Sequence, residues 1–335
     1  MTHTESTSSA QGVRATSTEG RPKVDFLIVG SPRSGTTLVQ RLACELPGVV
    51  MPPETHFFST IEKVAGSDHF PLEEPELRRV VEGYVAMRGD DALGIEPEEL
   101  LQSLGSRHLM DVFTAIVLKL SGPGEVHGEK TPNHLRWWRP ISNVSDSIRF
   151  IVVVRDPRAV VSSNLGAPWA DAVSVKGWRD YKHLLFAYRW VREEAQAWDL
   201  ARALGGRVLT LRYEDVVANP SAARDRIAQF LGLSNVHASA PESIVRPWES
   251  WKREALGPIT DKRTEAWRHE GLLSTSAAEE VAALCWVGMS RHRYAHDPLS
   301  ATAAALWRVP RARVYLRPLH SYESRTQRKI DGYVL

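Results

Sequence analysis

The stretch from Val24 to Leu42 constrains this chain more than any other part of it. It opens on the apolar run Phe26-Leu27-Ile28-Val29, the composition of a strand buried on both faces. A tight loop with Gly30, Pro32 and Gly35 follows, and then Leu38, Val39, Leu42 and Leu46 recur with helical period. Strand, glycine-bearing loop and helix make a phosphate cradle, because the loop N–H groups and the positive end of the helix converge on one anion. Gly30 and Gly35 keep the G-x-x-x-x-G spacing of the Walker A loop, but Thr36 stands where that motif has Lys. The usual cation on the β- and γ-phosphates is therefore missing, and Arg33 offers one from inside the loop. The loop is expected to bind a phosphate-like group and to handle it differently from ATP.

Beyond the first helix, strand and helix signals alternate. Val49 to Met51 reads as a short second strand, and Phe57, Phe58 and Ile61 begin a helix. From about residue 71 to 120 the pattern is helical, broken at Gly89 and Gly94, and shows no strand. Glu125 to Glu129 reads as a weak strand, and Ile148 to Val154 as the strongest one in the chain. Asp156 suits an N-cap and Pro157 the first helical position. A long amphipathic helix is expected from Gly177 to Leu204, with Trp178, Tyr181, Leu185, Tyr188, Val191 and Trp198 as its core stripe. Val208 to Leu211 is another strand, Asn219-Pro220 starts another helix, and Ser276 to Arg291 reads as a last core helix. The prediction is an α/β fold: a P-loop-like parallel sheet flanked by helices, with an α-helical insertion.

Composition narrows the setting. The 335 residues are 43% hydrophobic and include eleven Trp, ample for a core. A formal net charge of +2 gives no argument for nucleic acid. Cys44 and Cys285 form no disulfide framework and sit in apolar helical patterns, so buried free thiols are expected. No run reaches the ~18 apolar residues of a membrane span. Residues 1–23 are rich in Ser, Thr and Glu and have no apolar signal core, which predicts a disordered lead-in. The expected protein is soluble and cytoplasmic.

At Gly30-Ser31-Pro32-Arg33-Ser34-Gly35-Thr36-Thr37 the sequence resembles the 5′-phosphosulfate loop of the sulfotransferases, which use 3′-phosphoadenosine 5′-phosphosulfate (PAPS) and release 3′-phosphoadenosine 5′-phosphate (PAP). The resemblance implies that Arg33, Thr36, Thr37 and the loop amides, Ser34 and Gly35 included, hold the 5′-phosphosulfate. In Val152-Val153-Val154-Arg155-Asp156-Pro157 and the helix after it, it assigns the 3′-phosphate to Arg155 and Ser163. Arg155 follows a buried strand, where ligands of open α/β sheets bind, and its guanidinium forks onto phosphate oxygens. Ser162 ranks lower, pointing about 100° away on the helix.

Sulfuryl transfer to a hydroxyl needs a base near the acceptor oxygen. In Pro53-Glu54-Thr55-His56, Glu54 matches the Glu that tyrosylprotein and several bacterial sulfotransferases carry after the second strand, and His56 is its rival. A carboxylate near pKa ~4.3 is a weak base at neutral pH unless burial raises it. In Glu129-Lys130-Thr131-Pro132 the resemblance makes Lys130 the cation beside the transferred group. In Leu211-Arg212-Tyr213-Glu214-Asp215 it places Tyr213 near the adenine and leaves Asp215 as a cap or buttress. Trp251, Lys252, Arg253 and Lys262 are candidates for a segment closing over the nucleotide. No metal is expected. The resemblance covers about residues 24–290, which gives a sulfotransferase domain over 24–300 and a basic extension over 301–335.

Two other functions share some of these features. A nucleotide kinase has the same strand, loop and helix, but wants the Walker Lys and a Mg²⁺-binding acid. A non-catalytic nucleotide-binding module would leave Glu54 and Lys130 without a task. The acceptor hydroxyl, on a sugar, lipid, phenol, peptide or small molecule, is not legible. The basic extension suggests an acidic partner or a second subunit in a homodimer, against a solvated extension packed on its own domain.

Overall fold

The computed structural model describes residues 23–64, 72–89, 94–168, 170, 182–234, 244–269 and 271–294, together with 321, 324, 325, 327 and 328. The expected lead-in and most of the basic extension lie outside the described residues.

Five strands form a sheet: β1 (Phe26–Gly30), β2 (Val49–Val50), β3 (Val126–Lys130), β4 (Arg149–Val154) and β5 (Val208–Arg212). Their order is β2-β3-β1-β4-β5 and every pairing is parallel. β1 is central, with Ile28 opposite both Lys130 and Ile151. Lys130 is thus the last residue of a strand, one position beyond the expected end.

The helices are α1 (Thr36–Cys44), α2 (Phe57–Val64), α3 (Glu74–Arg88), α4 (Pro97–Ser103), α5 (Leu109–Ser121), α6 (Trp138–Val144), α7 (Pro157–Leu165), α8 (Lys182–Leu204), α9 (Tyr213–Ala218), α10 (Pro220–Leu231) and α11 (Thr275–Arg291). Side chains alternate across each strand, so one apolar run serves two cores. Phe26 and Ile28 of β1 and Ile151 and Val153 of β4 face α1, α9 and α10. Leu27, Val29, Phe150 and Val152 face the opposite core, with residues of α2, α3, α5, α8 and α11. Each such fully buried side chain contributes about 1.5–3 kcal/mol of transfer free energy. This explains why β1 and β4 read as continuous apolar runs.

The α-helical insertion is α3 to α5, packed on the second core. Phe57, Phe58, Tyr84 and Phe113 join it to α2, with ring centroids 5.0–5.6 Å apart. The core stripe expected on α8 is corrected at one end. Leu185 and Tyr188 are buried, but Trp198 is 41% exposed beneath the Arg291 guanidinium, and Trp190 is the buried tryptophan. Trp178 and Tyr181 lie outside the described residues. Cys44 and Cys285 are both free and buried, and burial, with Glu45 adding, pushes the Cys44 thiol up to about 12. Among the described residues no helix is long and apolar enough to cross a membrane, and no group of three or more His, Cys, Asp or Glu could hold a metal ion.

Candidate active site

The loop between β1 and α1 folds as its glycines dictate. Gly30, at φ 151°, passes so close to β4 that a Cβ would lie 2.4 Å from the Val153 carbonyl oxygen. Gly35, at φ 91°, is the N-cap of α1, and a Cβ there would lie 2.2 Å from the Tyr213 ring. Arg33 also takes a left-handed conformation, φ 73°. With glycine at the N-cap, no side chain covers the first N–H groups of α1, the arrangement that receives an anion.

Arg155 follows the last residue of β4 and is 7% exposed. It donates to the Arg33 carbonyl at 3.0 Å and to the Arg263 carbonyl, and its guanidinium stacks 4.3 Å above the Tyr213 ring. Arg33 in turn donates through Nε to Ser163 Oγ at 3.0 Å. Arg33, Arg155 and Arg263 therefore gather at one point. Burial pushes the Arg33 guanidinium down, and Arg155 and Arg263 push it further; Glu54 and Glu254 oppose them. Arg263 is held by Glu254 at 2.9 Å. Arg155 is buried, Arg33 half-buried and Arg263 exposed, and such a concentration of guanidinium groups is the preparation for a multiply charged anion.

On the other side of the loop, Lys130 is completely buried. Its ammonium contacts Glu54 Oε1 and donates to Thr37 Oγ1 at 3.3 Å. The same Glu54 oxygen lies 2.9 Å from Lys252 Nζ, and Glu54 Oε2 lies 3.0 Å from His56 Nε2. Burial alone would raise the Glu54 carboxyl. Lys130, His56 and Lys252 outweigh it and hold the group well below the usual carboxylate range. In this arrangement Glu54 is ionised and poorly basic. Burial pushes the Lys130 ammonium down, Glu54 opposes, and Lys252 adds to the depression.

A second, wholly buried layer fixes this one. Glu129 Oε1 accepts from the Thr55 amide at 3.2 Å, the Thr55 hydroxyl at 2.9 Å and the Thr131 hydroxyl at 2.6 Å. Its Oε2 lies 2.9 Å from His134 Nδ1, and His134 packs edge-on to Phe58. Burial would raise the Glu129 carboxyl, but His134, Thr131 and the Thr55 amide outweigh it and lower it. Tyr84 donates to the Thr55 carbonyl at 3.1 Å, and Gln40 to the Pro52 carbonyl at 2.8 Å. The backbone that presents Glu54 is thus tied to α1, α3 and the end of β3. In the sequence Glu129 is only the first residue of the Glu129-Lys130-Thr131-Pro132 motif, and His134 has no role. The available signal was a polar pair closing a buried strand, where an unpaired charge is not tolerated.

A cavity of about 920 Å³ opens over these groups. The sequence candidates Arg33, Gly35, Thr36, Thr37, Glu54, Arg155, Ser163 and Tyr213 line it, and so do His56 and Ser162. Ser34 is fully buried and Lys130 lies beneath the wall. Of the late candidates, Lys252 reaches the cavity. Arg253 turns to the Pro247 carbonyl, and Lys262 is exposed beside Arg263, which lines the wall in its place. The side chain of Trp251 lies outside the described residues. Trp267 adds an aromatic wall between the guanidinium groups of Arg158 and Arg268, each 4.5 Å from its centroid. Asp156 caps α7 as expected, accepting from the Arg158 amide at 2.8 Å. In the 213–215 turn Glu214 is the buttress, accepting from the Asp156 amide at 3.1 Å and the Tyr294 hydroxyl at 2.9 Å. Asp215 pairs with Arg212 at the surface.

A family model described as "Sulfotransferase family" matches residues 25–237. Among solved structures, the sulfotransferase domain from the curacin biosynthetic pathway is 15% identical with a TM-score of 0.49, over 83% of this chain and 100% of that one. The sulfotransferase domain from the Synechococcus PCC 7002 olefin synthase is 20% identical with a TM-score of 0.46, over 85% of this chain and 100% of that one. Retinol dehydratase, in a complex with retinol and PAP, is 17% identical with a TM-score of 0.39, over 80% of this chain and 82% of that one. No curated protein matches the chain.

Proposed function

The chain belongs to the sulfotransferase family, and we propose that it takes a sulfuryl group from PAPS and passes it to an acceptor hydroxyl, with Glu54 as general base. The observation that carries this reading is that one cavity brings Arg33, Arg155 and Arg263 together with the open N-terminus of α1 at Thr36 and Thr37, where Lys130 donates to Thr37 and contacts Glu54. A donor with two separated phosphate groups fits two separated cationic centres. When bound, PAPS supplies an activated sulfuryl group whose bond to the 5′-phosphate breaks as the acceptor oxygen attacks in line.

In this reading the residues divide the work by position. The α1 amides, Thr36, Thr37 and Arg33 hold the 5′-phosphosulfate, with Ser34 and Gly35 shaping the loop. Arg155 and Ser163 hold the 3′-phosphate, with Arg33 donating to Ser163 between them. Tyr213, in contact with both Gly35 and the Arg155 guanidinium, forms the wall beside the adenine. Lys130, already on Thr37, offsets charge on the leaving phosphate oxygen. As cations turn to the donor, Glu54 loses the partners that hold its pKa down and becomes able to take the acceptor proton. Catalysis of this kind rests on positioning and electrostatics, with no covalent enzyme intermediate. A reducing, cytoplasmic setting belongs to the same reading, supported by two free buried thiols.

Incubation with sulfur-labelled PAPS and a panel of phenols, sugars and small hydroxylated molecules tests the proposal. Label transfer to an acceptor is expected. Binding of ATP in preference to PAP would favour a nucleotide kinase, and tight PAP binding without any transfer a non-catalytic module.

A further inference from the structure

Lys252 has a position that closure of the cavity does not require. It sits on a 3-10 turn over Ser250–Leu256, and its side chain is 12% exposed. Glu249, three residues earlier, already pairs with its ammonium. That local pair would satisfy a lysine whose only task was to close the turn. Yet the same ammonium also lies 2.9 Å from Glu54 Oε1, the oxygen that Lys130 contacts from below. Two ammonium groups therefore share one carboxylate oxygen, with His56 on the other oxygen. Like charges this close repel, and Lys252 accordingly helps to depress Lys130. Glu249 keeps Lys252 partnered if its ammonium leaves Glu54, so the contact with Glu54 can be exchanged for an arriving anion without stranding a buried charge.

We propose that Lys252 is a second catalytic cation, which leaves Glu54 for the oxygens of the transferring sulfuryl group when the donor binds. The inference rests on the PAPS reading above. The turn that carries Lys252 is fastened to the phosphate-loop helix, since Arg41 of α1 donates to the carbonyls of Ala255, at 3.3 Å, and Gly257. Lys252 is therefore held in register with the loop that grips the donor. Its ammonium makes and breaks no covalent bond. In the transfer the acceptor oxygen gains the bond to sulfur, the bridging S–O bond gives its electron pair to the 5′-phosphate, and the acceptor proton passes to Glu54. Lys252 offsets charge on the sulfuryl oxygens in transit, while Lys130 serves the leaving oxygen. Its departure also removes one of the partners that keep Glu54 poorly basic, so donor binding and base activation are linked.

Calorimetry with PAPS and with PAP on the full-length wild type, Lys252→Met and Lys252→Arg separates the possibilities. PAP lacks the sulfuryl group and serves as the internal control. For Lys252→Met, PAPS affinity is expected to fall about 10- to 100-fold, the range of a lost charge-assisted hydrogen bond, with PAP affinity within about threefold of wild type. Lys252→Arg should recover most of the PAPS affinity. Equal losses for both ligands, or no loss for either, would overturn the role, since a lysine that only closed the turn would treat them alike. Lys252→Gln takes the place of Lys252→Met should the latter not fold. A wild type that binds neither ligand would defeat the donor reading itself, a result distinct from a wild type that binds both while Lys252→Met discriminates as it does.

Discussion

The ring of Tyr213 occupies the space where a side chain on Gly35 would begin, 2.2 Å from that Cβ. The phosphate loop and the tyrosine that follows β5 are thus built against each other, and the Arg155 guanidinium is stacked over the ring at 4.3 Å. Gly35→Ala must displace the ring and strain a residue at φ 91°. A cost of about 1–3 kcal/mol in stability is expected from the backbone conformation alone, read as a lower denaturation midpoint. PAP affinity should fall with it, because the displaced ring no longer supports Arg155.

Recognition of the 3′-phosphate is expected to depend on Arg155. Calorimetry should show wild type preferring PAP to AMP. Arg155→Ala should lose on the order of 2–5 kcal/mol of PAP binding, the scale of a desolvated charge pair, with much less change for AMP. Equal wild-type affinities for PAP and AMP would remove the assignment.

Glu54→Gln keeps size and hydrogen bonding and removes basicity. General-base assistance is worth roughly 10²–10⁴-fold, so turnover should drop by that factor with PAP binding little changed. His56→Ala should cost less. A Glu54→Gln enzyme near the wild-type rate, beside an inactive His56→Ala, would transfer the base role to His56.

The buried carboxylates set an acid limit to stability. Glu54 and Glu129 are both held below their ordinary values in the fold, so the unfolded chain binds their protons more readily. Their stabilising contribution is therefore present above the unfolded pKa, about 4.3, and is lost as pH falls from there through the lower folded values. Glu129→Gln breaks the buried contact with His134 and weakens the acceptor that Thr55 and Thr131 share, and should cost about 1–3 kcal/mol at neutral pH. Its melting temperature should also depend less on pH below about 4.5 than that of the wild type.

Gln327 lies in the basic extension and bridges two helical elements, accepting from Gln196 at 2.7 Å and donating to the Arg136 carbonyl at 2.8 Å. Truncation after residue 300 removes this bridge. Loss of solubility or of thermal stability is expected from a structural extension. A soluble, stable truncation that shifts from dimer to monomer in light scattering would instead favour the second-subunit role.

Much of the fold could be read from the sequence because its signals are local. The alternation of β1 and β4 residues between two cores follows from apolar runs, and the caps at Asp156 and Asn219 from single residues. Thr36 and Arg33 stand out through motif spacing, and Glu54 only through the family resemblance. What stayed hidden depends on distance in the sequence. Lys252 meets Glu54 only through the fold, and Arg263, not Lys262, faces the cavity because of the phase of one short turn. The pKa of Glu54 was open to either sign from sequence, since burial and cations compete, and only the positions of Lys130, His56 and Lys252 decide it. The Glu129–His134 pair was hidden because neither residue carries the periodicity that marks a core.

The carbonyl groups that hold Arg155 come from Arg33, 122 positions before it, and Arg263, 108 positions after it. During synthesis, then, the strand and loop of the phosphate cradle emerge long before the turn that completes it. Closing such separations carries an entropic toll that is met only when most of the sheet has condensed. Donor binding is therefore expected to be absent from nascent chains that end before about residue 263 and to arrive in one late step. A ligand that binds only this finished state would act on refolding mainly by slowing its loss, leaving the early sheet to form at its own rate.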